Sequence, residues 1–139
     1  MTVCVCVGFI GCGGGSPPQP PVESSLQKLA VIYGQYLGSH RGQAPVNEQE
    51  LREFLETMSE SERQKQGITD ISKFFQSPRD GQPYVVRYGV QLGAPGPDGA
   101  PWVAHEKTGQ AGKRFIAFST GQMDEVDEAK FQAILSAQK

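Results

Sequence analysis

One tight turn divides this chain into two halves with different apolar periods, and that switch constrains the fold more than any other feature. Before Ser77-Pro78-Arg79-Asp80-Gly81 the apolar residues recur at helical spacing; after it they gather into short aromatic and β-branched strings. The turn chemistry is specific, because Pro presets φ and Gly accepts positive φ. Upstream, Leu26, Leu29, Tyr33, Tyr36 and Leu37 fall on one stripe of a helix, with Ser24 or Ser25 available as its cap. Gly38 and Arg41-Gly42 predict its end. Asn47 with Glu50 three residues on has the form of a capping box, and Leu51, Phe54, Leu55 and Met58 form the buried face of the helix behind it. Glu60 to Gln66 is polar and predicts a solvated turn or short helix, and Phe74-Phe75 a local hydrophobic anchor.

Downstream, Tyr84–Tyr88, Pro101–Glu106 and Arg114–Phe118 predict strands, with a short fourth at Met123–Val126. Thr108–Gly112 predicts a hairpin loop, Thr120-Gly121-Gln122 a further turn, and Gly93–Pro101 a longer Gly/Pro loop. Asp127 predicts the cap of a last helix carrying Phe131, Ile134 and Leu135. The expectation is an α+β fold: N-terminal helices and a C-terminal helix packed together on one face of a three- to four-stranded antiparallel meander.

The first 22 residues have a different character. An uncharged apolar run from Val3 to Ile10 leads to Gly11-Cys12, then to Gly13-Gly14-Gly15-Ser16-Pro17-Pro18-Gln19-Pro20-Pro21. The run is far below the ~20 residues of a membrane-crossing helix but fits the ~7–15 residues of a signal-peptide core. Val and Cys also suit a buried strand; the Gly/Pro tract that follows favours the leader. Phe9-Ile10-Gly11-Cys12 resembles a bacterial lipobox, in which a small residue precedes the cysteine that becomes the lipidated N-terminus. The resemblance implies a signal peptide over 1–11, lipidation of Cys12, a linker over 12–22 and a folded domain over 23–139. Cleavage would remove Cys4 and Cys6, leaving no thiol from Gly13 to Lys139, which suits an oxidising envelope. Several acyl chains anchor stably where one does not. A Pro-rich tether extending ~3.1 Å per residue would let the domain stand up to about 30 Å from the membrane.

The 139 residues suit one domain with a single core. Net charge is −2 and the signs are mixed along the chain, so no basic stripe exists to engage a nucleic-acid backbone. The chemical candidates are sparse. His40 and His105 are the only histidines, and a metal site needs three or four convergent ligands. On a strand, His105 and Glu106 would point to opposite faces, so packing or simple hydrogen bonding is the expected role of both histidines. Gly109–Arg114 lacks phosphate-loop spacing and precedes a strand rather than a helix. Gly93, Gly96 and Gly99 do not fit a dinucleotide fingerprint. Asp124, Glu125, Asp127 and Glu128 admit calcium in principle, as does Asp98; at Asp127 and Glu128 complementing the start of the last helix is the simpler expectation. Ser77 sits in a turn before Pro78, with no His base at hand in sequence. No catalytic residue, metal ligand or cofactor is expected.

The stretch from Tyr33 to Tyr88 resembles the periplasmic domain of type II secretion pseudopilins. The matching residues are Tyr33, Tyr36, Gly42, Pro45 and Leu51, then Pro78-Arg79-Asp80-Gly81-Gln82-Pro83-Tyr84 leading into Val85-Val86-Arg87-Tyr88. Gly112, Phe115–Phe118 and Gly121 resemble the last hairpin of related pseudopilin-like bacterial proteins. The resemblance implies a non-enzymatic envelope protein that works by contact with other envelope or secretion components. Pseudopilins begin with a long hydrophobic helix where this chain has a candidate lipid cysteine, so the alternative is a filament-forming pseudopilin-like subunit whose start is wrongly assigned. A small periplasmic ligand-binding protein or hydrolase is a further one.

Overall fold

The computed structural model describes residues 21–96 and 99–138. Cys12, the expected leader, most of the expected linker and Asp98 lie outside the described residues.

Helix α1 (Pro21–Ser39) runs through both serines proposed as its cap and begins at Pro21. Proline suits a first turn, where its missing N–H costs nothing and its φ is already helical. The apolar stripe forms as expected. Leu26, Leu29, Ile32 and Tyr33 are fully buried and Tyr36 nearly so, each full burial contributing roughly 1.5–3 kcal/mol. Gly34 lets α1 pack closely on the turn that follows Phe118: a Cβ at Gly34 would stand 2.9 Å from the Ser119 carbonyl oxygen.

Helix α2 (Glu48–Thr57) lies against α1 with Leu51 and Leu55 buried. Asn47 caps it by accepting from the Glu50 N–H at 3.0 Å. The other half of the expected box is displaced by one residue, because the Glu50 carboxylate accepts from the Val46 N–H at 2.9 Å. Helix α3 (Glu60–Lys65) has no buried residue and is held by a full Ser59/Glu62 capping box. Helix α4 (Ile71–Phe74) delivers Phe74 and Phe75 into the core, packed edge to face at 5.5 Å.

Four strands follow, β1 (Val85–Val86), β2 (Trp102–His105), β3 (Lys113–Phe118) and β4 (Met123–Asp127), in the order β1-β2-β3-β4 with every neighbour antiparallel. This is the expected meander. β1 is shorter than its sequence suggests, because the chain leaves the sheet to pair elsewhere. Beyond Gly89, the Val90 carbonyl accepts from Ala44 and the Leu92 N–H donates to Gly42, stitching residues 89–92 to the loop between α1 and α2.

Helix α5 (Glu128–Ala137), capped by Asp127 accepting from the Lys130 N–H at 2.8 Å, corrects the expectation that all helices share one face of the sheet. Side chains alternate along β3. Phe115 and Ala117 join the large core under α1, while Ile116 and Phe118 join Val126, Trp102, Phe131, Ile134 and Leu135 in a second cluster. The sheet is therefore sandwiched, α1 on one side and α5 on the other. The two-sided burial of β3 requires this: a strand apolar on consecutive residues needs cover on both faces. Among the described residues no helix is long and apolar enough to cross a membrane.

Candidate functional site

The two histidines are placed far from one another in role. His105 is buried between the second cluster's rings, its imidazole 4.7 Å from Phe131 and 5.3 Å from Trp102. Its Nδ1 hydrogen-bonds the Glu106 carbonyl oxygen at 2.7 Å. Burial holds its pKa below the ordinary histidine value; the bond to Glu106 opposes that shift and the nearby Arg114 guanidinium adds to it. In the unfolded chain the same imidazole takes up a proton near pH 6.5, while the folded chain resists it. Stability is therefore full above that pH and declines as pH falls through it toward the folded value. We expect the urea midpoint to drop between pH 7.5 and pH 5.5, and His105→Phe to remove the part of that drop that His105 causes. An unchanged slope in the variant would discount the imidazole as its source.

His40 lies at the surface past the end of α1. Its ring stacks on Tyr36 at 3.8 Å and 4°, and its Nδ1 bonds the Tyr36 carbonyl oxygen and the Ser39 hydroxyl, both at 2.9 Å.

The acidic residues near β4 disperse into separate partnerships. Asp127 caps α5, Glu128 pairs with Arg114 at 3.0 Å, and Glu125 pairs with Arg79 at 3.2 Å. Among the described residues no group of three potential metal ligands converges. Gly109–Arg114 is a hairpin turn, as expected. Gly109 has φ +72°, and a Cβ there would fall 2.1 Å from the Lys113 carbonyl oxygen, so only glycine fits.

Sequence reasoning missed the most polar feature of the interior. Glu106 is fully buried and Ser77 nearly so. The Ser77 hydroxyl donates to Glu106 Oε1 at 2.9 Å, and the Phe115 N–H donates to Oε2 at 2.9 Å. Arg79 Nε stands 3.5 Å from Oε1, near enough for charge attraction but without a hydrogen bond. The Arg79 guanidinium lies over the Phe115 ring at 4.4 Å and reaches Glu125 and the Lys113 carbonyl. One residue on, Asp80 accepts from the N–H groups of Gln82, Thr108 and Gly109. Burial pushes Asp80 up, but these donors outweigh it and leave its pKa below the usual carboxylate value. Tyr84, hydrogen-bonded to Ser25 at 2.6 Å, is pushed up to about 12 by burial. The turn over 77–84 is thus clasped onto the β2–β3 hairpin and the first helix. The Ser77 hydroxyl is committed as a donor to the buried Glu106 carboxylate. The only advance signal was turn chemistry; the partner 29 residues away leaves no local trace.

A second polar grouping forms where the end of α1 meets α2. An open cleft of about 340 Å³ is lined by Tyr36, His40, Glu50, Glu53, Phe54 and Thr57. Phe54 meets the Tyr36 ring edge to face at 5.4 Å. The Tyr36 hydroxyl donates to Glu50 Oε2 at 3.1 Å. Sequence reading placed Tyr36 and Phe54 on two separate buried faces and left His40 alone; it did not bring them together.

Comparison of the chain with protein-family models, with curated proteins and with solved structures gave no match.

Proposed function

We propose that this chain is a cell-envelope lipoprotein, anchored through Cys12, whose α+β domain is a non-catalytic interaction module related to secretion-system pseudopilins. The observation that carries the reading is Cys12 itself, set between an uncharged apolar run and a Gly/Pro tract in a chain with no cysteine after it. Three features lend support. The first helix starts at Pro21, at the end of that tract, so a tether from Cys12 would feed straight into the core helix. The histidines are engaged in ring packing and backbone hydrogen bonds, which favours a structural role for them. The buried polar residues clasp the turn that carries the pseudopilin resemblance.

Labelling cells with radioactive palmitate is expected to mark the protein, and Cys12→Ala to abolish the label. Intact mass of the membrane-fraction product should show loss of residues 1–11 and gain of acyl chains. A full-length, unlabelled chain recovered from the cell interior would refute the proposal.

A further inference from the structure

The cleft between α1 and α2 combines aromatic walls with negative charge that no ion pair among the described residues neutralises. Glu50 and Glu53 both line it. The ion pairs of the described residues join Arg52 to Glu48, Arg79 to Glu106 and Glu125, and Arg114 to Glu128; none involves Glu50 or Glu53. Glu50 is nevertheless held in place. Its Oε2 takes two donors, the Val46 N–H and the Tyr36 hydroxyl, while its Oε1 receives no hydrogen bond from a described residue. Glu53 receives only the side-chain amide of Gln49, at 3.1 Å. A fixed carboxylate with one oxygen unengaged is pre-organised for a charged donor, because little rotamer freedom remains to be lost on binding.

The rings select among cations. Tyr36 and His40 are stacked, and Phe54 stands at 80° to Tyr36 and 76° to His40. Aromatic faces attract cations, most effectively a flat and weakly hydrated one. A guanidinium stacks on rings and offers paired N–H donors to a carboxylate, whereas an ammonium is compact and strongly hydrated. Residues 1–21 carry no Lys or Arg, so this segment supplies no guanidinium.

We propose that this cleft binds an arginine side chain presented by a partner protein. The proposal deepens the interaction-module reading and rests on it for the source of the arginine. The binding chemistry itself is independent of Cys12 and its lipid, so a failed palmitate experiment and a failed titration expose different errors.

The test is an NMR titration of the ¹⁵N-labelled full chain with acetyl-arginine methylamide, and in parallel with acetyl-citrulline methylamide, which has nearly the same shape but no charge. The arginine probe is expected to give saturable shifts at the amides of His40, Glu50, Glu53 and Phe54, and the citrulline probe little. Glu53 is exposed, so Glu53→Gln should leave the fold intact and weaken binding about threefold, the scale of one exposed charge partner. Equal responses to the two probes, shifts that do not saturate, or shifts centred elsewhere would overturn the proposal, as would unchanged affinity in the Glu53→Gln chain.

Discussion

Replacing Arg79 by Ala is expected to lower the unfolding free energy by about 3 kcal/mol, because it strands a buried carboxylate. Glu106 is fully buried, and without Arg79 its charge would be met only by the Ser77 hydroxyl and the Phe115 N–H. Those two neutral donors keep the expected cost at the lower end of the ~3–5 kcal/mol typical of broken buried pairs. The loss of the guanidinium from the Phe115 face adds to the effect. Glu106→Gln should remove the charge while retaining much of the shape. In the double variant Arg79→Ala/Glu106→Gln, the two costs should then fall short of additivity by at least ~1 kcal/mol. Urea midpoints of the four chains measure this directly. Additive costs, or an Arg79→Ala effect inside ~0.5 kcal/mol, the range of ordinary surface changes, would show that the pair is not coupled.

Leu29→Ala is expected to cost ~2–5 kcal/mol, since the side chain is fully buried in the large core and a cavity would remain. Against total stabilities of about 5–15 kcal/mol usual for single domains, that is a large share of what holds the fold together. Phe131→Ala should behave differently. Phe131 belongs to the smaller cluster that joins α5 to the far face of the sheet, so its loss should free α5 first. Amide exchange reads the contrast: in Phe131→Ala the amides of 131–137 should lose protection while those of Ile116 and Ala117 keep it. In Leu29→Ala all of them should weaken together. Uniform loss in both variants would mean that the two clusters unfold as one unit.

Much of this fold could be read from local chemistry. The stripe of Leu26, Leu29, Tyr33 and Tyr36 implied one buried helix face, and all four residues are buried. Asn47 and Asp127 announced their helices because a cap acts within three residues of itself. The hairpin at Gly109–Gly112 was legible for the same reason. His105 and Glu106 were expected on opposite faces, and they do occupy opposite sides of the sheet, one among the rings under α5 and the other in the clasp with Ser77. The start of α1 was misplaced, because Ser24 and Ser25 are good caps and Pro21 is an equally good first residue.

The chain's own order of residues determined the α+β class, the succession of the main elements and the caps at Asn47 and Asp127, since each depends on neighbours a few positions apart. Only the tertiary structure decided which face α5 covers, where β1 stops and why Glu106 is buried. It alone also brought Tyr36 and His40 of the first helical region against Glu50 and Phe54 of the second. Alternation along β3 says that two faces are apolar without naming the helix that covers each. Pairing between groups as far apart as Ser77 and Glu106 is selected by the packed whole, in which an unmatched buried charge is too costly to persist.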